Sequence, residues 1–438
     1  MQLIEAFDQT PVRHSHSVGL IQSFLKLALS PIGCRPTARA LKLLAPLLPN
    51  SRFPSANGGQ YWLLRMGLFE LLRPKEPADD WVWLIDHTIQ TGQGTIFVVF
   101  GFRLSSWRQK VADRLERDPH ASGSLEHADV SVWMIERIDT SNGVVVCEQL
   151  SRLSIETGIV PRAILCDQGA DVRNGGELFC ESASRPTVVL HDISHAVANA
   201  LKRQLATCPN WTLFMTEANA CKTKIRQTVY AFLMPPELKN KSRWMNLVPL
   251  VEWSNRVLTF LDNPCDGLKK AEITVSPEAI QEKMDWLRKH EESMVQWSIM
   301  MEAAGTILKF VRLNGYHQTA PADLEVLLSR FTTGPARGMI DEVLNFVRVQ
   351  SSRVGNDRLP GSTEVLESLI GKGKQLTGST KNGYTRSILG IAASVMEITS
   401  ETVQTALQSI KVRDVKTWIK DKIGLSLQAR KQRAIPAC

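Results

Sequence analysis

The stretches that decide the fold are Trp81-Val-Trp-Leu-Ile-Asp86-His-Thr and Arg162-Ala-Ile-Leu-Cys-Asp167-Gln-Gly. Each is a short apolar run that ends in one aspartate, a pattern typical of a buried β-strand. A carboxylate at the end of a buried strand is costly unless a cation compensates for it. If the two strands are neighbours, their carboxylates meet at one edge of a sheet. Paired carboxylates are a common way to hold Mg²⁺ for phosphate chemistry.

Further strand patterns lie between and after these two runs. The segment Thr95-Ile-Phe-Val-Val-Phe-Gly follows a glycine-containing turn and predicts a hairpin with the first run. Alternating apolar residues predict a third strand over 129–136, an amphipathic helix follows over 144–157, and a last strand is predicted over 186–192. Three antiparallel strands followed by strands with helical crossovers predict an α/β fold, with a mixed five-stranded sheet and helices on its faces.

Helical patterns dominate the rest of the chain. Three short helices are predicted between residues 15 and 75, with Ser55 as an N-cap. Several arginines accompany them, Arg35 and Arg39 among them, so they fit either a helix-turn-helix DNA reader or a bundle that only packs on the next domain. From about residue 200 to 350 strand patterns nearly vanish. This region, including 231–241, predicts one large helical block.

Composition limits the class of protein. The 438 residues carry 52 Lys+Arg against 44 Asp+Glu, a net charge of +8 that permits an anionic partner without requiring one. The eight cysteines form no CxxC pair and suit a reducing interior. The N-terminus lacks a signal-peptide pattern, and no run reaches the roughly 20 apolar residues of a membrane span, so we expect a cytoplasmic protein. The last 30 or so residues are basic, and we expect them to end in a frayed tail.

A third carboxylate is expected, because two aspartates alone leave a pair of Mg²⁺ ions under-ligated. The helix that opens at Pro360-Gly-Ser-Thr offers Glu364, which the helix dipole alone explains, and Glu367 one turn later. Lys374 follows Glu367 on the same helix face, where it would suit a phosphate clamp. Both residues equally fit a solvated surface. Asp171, one loop beyond the second aspartate, is a weaker additional ligand candidate.

The segment His191-Asp192-Ile-Ser-His195 follows the last predicted strand. Asp192 fits a helix N-cap. His195 fits a partner of the acidic cluster or of a scissile phosphate, and equally a half-buried helix histidine. The sequence contains no GxxxxGK[ST], no GxGxxG after a strand, no GxSxG and no HExxH, so those catalytic classes are not expected.

These segments resemble the catalytic motifs of DDE transposases of bacterial insertion sequences. The run ending at Asp86 and its hairpin look like the first catalytic strand pair, and Ile164-Leu-Cys-Asp167-Gln-Gly looks like the second aspartate strand. The segment 360–368 with Lys374 looks like the glutamate helix, whose later lysine contacts transposon-end DNA. Asp192-Ile-Ser-His195 is similar to the (C/D)xxH motif of hAT-type transposases, which also interrupt the catalytic fold with a helical block. The tyrosine and arginine that some of these families carry upstream of the glutamate are not at the matching positions.

The resemblance implies an RNase H-like catalytic core in which Asp86, Asp167 and Glu367 hold two Mg²⁺ or Mn²⁺ ions, with Glu364 as the alternative third acid. His195, Asp192, Lys374, Arg35 and Arg39 would be auxiliary or DNA-contacting residues. The implied divisions are an N-terminal helical DNA-binding domain over 1–76, a catalytic core over 77–204 and 356–410, a helical insertion over 205–355, and a basic tail over 411–438.

The implied activity is cleavage of DNA at the ends of a mobile element, followed by transfer of the freed 3′-OH into target DNA. Double-stranded transposon ends and target DNA would be the partners, bound by a dimer or higher multimer, with no membrane. Such an enzyme would be cytoplasmic and associated with the nucleoid. Two alternatives stay open, namely a catalytically inactive, transposase-derived DNA-binding protein and an RNase H-like nuclease without strand transfer.

Overall fold

A mixed five-stranded sheet forms from the segments predicted as strands. The computed structural model describes residues 9–11, 14–30, 32–47, 52–90, 94–118, 123–237, 244, 247–331, 334–377, 388–425 and 427–435. The strands are β1 (Trp81–Gln90), β2 (Thr95–Arg103), β3 (Ser131–Ile138), β4 (Ala163–Cys166) and β5 (Val188–His191), in the spatial order β3-β2-β1-β4-β5. β2 pairs antiparallel with both β1 and β3, whereas β1 pairs parallel with β4.

The central strands are apolar on both faces because helices cover both sides of the sheet. Phe97, Val98, Val99 and Phe100 of β2 are all fully buried. β1 is longer than predicted: it continues four residues past Asp86, because its pairing with β2 continues beyond that aspartate. The prediction that the first strand ends at Asp86 was therefore wrong.

The helices follow the predicted order, with shifted boundaries. Those before the last strand are α1 (Val18–Leu29), α2 (Cys34–Lys42), α3 (Ala56–Leu72), α4 (Leu104–Arg117), α5 (Gly143–Thr157) and α6 (Ala170–Ser182). After β5 come α7 (Ile193–Ala206), α8 (Pro209–Ile225), α9 (Val248–Asp262), α10 (Pro264–Lys270), α11 (Pro277–Met284), α12 (Glu291–Asn314), α13 (Ala320–Leu328) and α14 (Pro335–Val354). The chain continues with α15 (Glu364–Thr377), α16 (Leu389–Ala393), α17 (Ser400–Ser409), α18 (Val412–Trp418), a π-helix (Ile419–Ile423) and α19 (Leu427–Ala434).

The chain divides into two compact units, 1–190 with 363–438 and 191–362. The second unit is helical, as expected for the predicted insertion. Its two ends meet, because the Ile193 backbone N–H donates to the Gly361 carbonyl at 2.9 Å. Tyr316, fully buried between them, donates its hydroxyl to the His191 carbonyl at 2.8 Å and forms a β-bridge with Leu359. The chain thus enters and leaves this unit at one place.

The N-terminal helices share a core with the C-terminal segment of the first unit. Phe24 and Leu63 belong to the same buried cluster as Ala393 and Leu407. The buried side chain of Arg65 donates from Nε to the Ile410 carbonyl at 2.6 Å. Helices α1 and α3, which lie within the predicted domain 1–76, are therefore packed together with residues more than 300 positions later.

One helix prediction was wrong. Only Ala231–Leu233 of the segment predicted as a helix over 231–241 forms a 3₁₀ turn, because Pro235 and Pro236 follow and cannot donate to a helix; residues 238–241 lie outside the described part. The basic C-terminal segment forms α18, the π-helix and α19, whereas the predicted frayed end falls on residues 436–438, which lie outside the described part. None of the helices in the described ranges is long and apolar enough to cross a bilayer.

Candidate active site

Asp86 lies in β1, and Asp167 directly follows the neighbouring strand β4. Leu84 of β1 is paired with Leu165 of β4 in parallel register, and each aspartate follows two residues later. Both carboxylates act on one buried thiol: the pKa of Cys166 is raised by burial first and then by the negative charges of Asp167, Glu177 and Asp86. The structure therefore brings together the two aspartates that the apolar runs predicted.

Each aspartate is held by the backbone next to it. Asp86 Oδ1 accepts from the His87 N–H at 2.6 Å, and Asp167 Oδ1 accepts from the Gly169 N–H at 2.8 Å. A Cβ at Gly169 would lie 2.9 Å from Asp167 Oδ1 and 3.2 Å from Asp171 Oδ1. The glycine thus leaves space in which two carboxylates approach one loop, and carboxylate oxygens are the ligands that Mg²⁺ prefers.

A hydrogen-bonded group adjoins the two aspartates. His87 Nδ1 lies 3.3 Å from Asp171 Oδ2, and its Nε2 lies 3.1 Å from Ser141 Oγ, which in turn donates to Asp171. Burial lowers the pKa of His87, while Asp171 and Asp167 partly oppose this. Burial acts to raise the pKa of Asp171, but the Ser141 hydrogen bond and His87 outweigh it and hold that pKa below its ordinary value. Asp171 was predicted from the sequence as a weaker ligand candidate, whereas His87 and Ser141 were not predicted, although His87 directly follows Asp86.

The helix α15 begins at the edge of the sheet that carries Asp167. Cys166 Sγ, at the end of β4, lies 3.9 Å from the Leu190 carbonyl near the end of β5, so these two strands end together. Gly361, three residues before α15, is bonded to Ile193, two residues after β5. The helix also contacts β1. The first turn of α15 therefore lies near the ends of β4 and β5.

The two glutamates of α15 have different surroundings. Glu364 is half-buried and lines a groove of about 520 Å³ together with His127, Ser368 and Lys372. Glu367 is exposed, and its backbone N–H donates to the Thr363 carbonyl at 3.3 Å. Lys374 lies in the same helix, but its side chain is outside the described part of the structure.

The third acid does not complete a metal-binding group. Across the described residues, no three His, Cys, Asp or Glu side chains converge in a position to hold a metal ion. The structure places Asp86, Asp167 and Asp171 in one region, and α15 begins near the ends of β4 and β5. It does not bring Glu367 or Glu364 into a three-acid cluster with the two aspartates.

Asp192 and His195 form a local pair in the second unit. Asp192 is only 1% exposed and caps α7 by accepting from the His195 N–H at 2.8 Å, which confirms the predicted N-cap. Its carboxylate also lies 2.9 Å from His195 Nδ1. Burial and the Asp192 charge raise the pKa of Tyr316 well above its ordinary value. His195, with its side chain 30% exposed, is thus a half-buried helix histidine held by its own cap.

Arg35 and Arg39 lie on one exposed face of α2. They are one turn apart, and Lys42 extends the same face, while Thr37 and Leu41 are buried on the other side. The basic face is compatible with both alternatives that the sequence left open, a DNA reader and a packing helix.

No protein-family model and no curated protein matches this sequence. The assignment of a function therefore depends on the residues and their geometry.

Proposed function

We propose that this protein is a DNA transposase with an RNase H-like catalytic core, which cleaves mobile-element ends and joins them to target DNA. The observation that supports this most is the placement of Asp86 beside Asp167 in a sheet ordered β3-β2-β1-β4-β5. A helix that carries two glutamates begins at the same edge of the sheet. This combination suits phosphoryl transfer, whereas the sequence contains no GxxxxGK[ST], no GxGxxG after a strand, no GxSxG and no HExxH motif.

The two aspartates supply the kind of oxygen donors that divalent metal ions prefer. Asp86 and Asp167 would be the first two ligands, and Glu367, or Glu364 in its place, would supply the third carboxylate. When bound, Mg²⁺ or Mn²⁺ ions make the attacking oxygen more nucleophilic and stabilise the departing one. The group of His87, Ser141 and Asp171 would hold the end of β1 and the loop after β4 in place, since a site for in-line displacement needs its ligands fixed.

The proposed reaction has two displacements at phosphorus. In the first, water attacks a phosphodiester at the element's end, the P–O3′ bond breaks, and the 3′ oxygen takes up a proton. In the second, that 3′-OH loses its proton and attacks a phosphodiester of the target, whose own 3′ oxygen leaves. The same carboxylates would serve both steps. Because two element ends must be joined, a dimer or a higher multimer on DNA is expected, in the cytoplasm and on the nucleoid.

One observation favours a second candidate, a catalytically inactive DNA-binding protein derived from a transposase. In the part of the chain that the structure describes, the third acid is not in position for metal ligation. If the chain has lost catalysis, the aspartates would remain for stability alone, and the basic face of α2 would still bind DNA.

A cleavage and joining assay separates these candidates. End-labelled duplexes taken from the DNA on both sides of the gene are incubated with the protein, a supercoiled plasmid and Mg²⁺, Mn²⁺ or EDTA. Metal-dependent 3′-OH ends together with labelled plasmid support the transposase. Cleavage without labelled plasmid indicates a nuclease without strand transfer, and binding without cleavage indicates the inactive protein.

A further inference from the structure

Most of the net positive charge lies at the C-terminal end of the chain. Residues 411–438 contain eight basic and two acidic side chains, a net charge of +6, whereas the whole chain carries +8. The other 410 residues therefore contribute only +2. The basic residues are Lys411, Arg413, Lys416, Lys420, Lys422, Arg430, Lys431 and Arg433.

Buried apolar side chains fix the first half of this segment against the rest of the first unit. Val415 of α18 is fully buried in a cluster with Leu64 and Leu389, and Ile423 of the π-helix is 5% exposed. The Lys422 amine lies 3.4 Å from the Glu136 carboxylate of β3, which adds a polar contact. These contacts leave the opposite face of the segment in a defined position at the surface.

That opposite face is cationic. Lys416 and Lys420 are exposed, and within the described ranges neither forms an ion pair. They are four residues apart at the junction of α18 and the π-helix, which corresponds to a rise of roughly 6 Å along helical backbone. In α19, Arg430, Lys431 and Arg433 are exposed as well. Exposed cations that form no ion pair among the described residues have the charge needed to displace counterions from a polyanion.

We propose that residues 411–433 form a C-terminal basic surface that binds the phosphate backbone of duplex DNA without regard to sequence. A membrane-surface helix needs an exposed apolar face beside its basic one. Here Val415 and Ile423 are buried in the protein. The exposed large apolar side chains in the described part of this segment, Leu425 and Ile435, lie ten residues apart in sequence and give no continuous apolar stripe, so an anionic lipid surface is disfavoured. The choice of duplex DNA among polyanions rests on the proposed function, whereas the surface itself follows from charge and burial.

The test measures binding of a random-sequence 30-base-pair duplex in EDTA over a range of salt concentrations, so that cleavage plays no part. Lys416→Gln/Lys420→Gln/Arg430→Gln/Arg433→Gln is compared with Lys269→Gln/Lys270→Gln/Arg337→Gln/Arg348→Gln, which removes the same charge from exposed positions elsewhere. The C-terminal variant is expected to bind at least tenfold more weakly at 0.1 M salt, with the log Kd versus log salt slope reduced by roughly 3 to 4. The control variant should change affinity less than threefold.

Three results would contradict the proposed DNA-binding surface: an unchanged salt slope for the C-terminal variant, an equal loss of affinity in both variants, or tighter binding to phosphatidylserine vesicles than to the duplex. Thermal unfolding of both variants checks that each is folded. This test can fail or succeed independently of the proposed function. If the protein binds the duplex in EDTA but never cleaves DNA, the DNA-binding surface is supported and the transposase assignment is wrong.

Discussion

Leu84 and Leu165 are direct partners in the parallel pairing of β1 and β4, and each lies two residues before an aspartate. Side chains two residues apart on a strand lie on the same face. The position of Asp86 is therefore set by the apolar run before it, because a slip of one residue would turn the whole run to the other face. The register that buries Leu84 is also the register that places Asp86 beside Asp167.

The two aspartates should be needed for chemistry and not for DNA binding. Asp86→Asn or Asp167→Asn removes a charged oxygen ligand, and bound metal contributes several kcal/mol to phosphoryl transfer, so we expect cleavage to fall by roughly 10³-fold or more. Affinity for element-end DNA should change less than threefold. Single-turnover cleavage and gel-shift binding measure the two quantities.

Asp79→Asn is the matched control for these variants. Asp79 is 70% exposed and 3.2 Å from Arg185, seven residues before Asp86, and its loss should leave cleavage unchanged. If Asp86→Asn cleaves at the wild-type rate, the metal-ligand assignment is wrong.

The third acid can be identified by comparing the two glutamates of α15. Glu367 is exposed in the first turn, whereas Glu364 lines the groove with His127 and Lys372. We expect Glu367→Gln to lower the cleavage rate by at least roughly 100-fold and Glu364→Gln by less than threefold. The reverse result would assign the role to Glu364. If both variants cleave at the wild-type rate, neither glutamate is the third acid, and Asp171 becomes the next candidate.

The shared core of the N-terminal and C-terminal segments predicts a large effect at Gly67. A Cβ there would lie 1.9 Å from the Leu389 carbonyl oxygen, which is backbone and cannot rotate away. Gly67→Ala should lower the free energy of unfolding by about 1–3 kcal/mol or more. Gly305→Ala in α12, where a Cβ meets nothing within 4 Å, should instead stabilise by about 0.5–1 kcal/mol.

Denaturant unfolding measures both glycine variants. A neutral effect at Gly67 would show that α3 and α16 are not packed this closely. If Gly305→Ala is also destabilised, the loss of stability in Gly67→Ala cannot be attributed to the close approach of Gly67 to Leu389.

Lys75 predicts a pH-dependent contribution to stability. Burial lowers the pKa of its amine to about 8, against the attraction of the buried Glu70 carboxylate 3.5 Å away. Between pH 8 and the ordinary value of 10.5 the unfolded chain binds more protons at this group than the folded chain, so its contribution rises with pH in that window. The unfolding free energy of the wild type minus that of Lys75→Met should therefore increase from pH 8 to 10. A difference that stays flat or falls over this range contradicts the assignment.

The sheet was predictable because its strands are encoded locally. Apolar runs such as the one that ends at Asp167 are too short for helices, and their order along the chain limits the topology. The N-cap role of Asp192 was equally local. In contrast, nothing near Arg65 indicates that its guanidinium bonds to the Ile410 carbonyl, because the partner lies 345 residues away.

The C-terminal helices and the acidic surroundings of the site could not be predicted from local sequence patterns either. The basic composition of the last 30 or so residues did not show that Val415 would be buried, because that burial depends on partners from α3 and α16. Likewise, His87 becomes part of the site only because Asp171 and Ser141 fold against it.

The central claim, that Asp86 and Asp167 hold divalent metal, is tested most directly by mapping bound Fe²⁺. With Fe²⁺ in place of Mg²⁺, ascorbate and peroxide produce radicals that cut the backbone near the metal, and mass spectrometry locates the cuts. We predict cuts next to Asp86, next to Asp167 and in the first turn of α15, all suppressed by excess Mg²⁺ and lost in Asp86→Asn. Cuts that avoid these segments, or that persist unchanged in Asp86→Asn, would contradict the account.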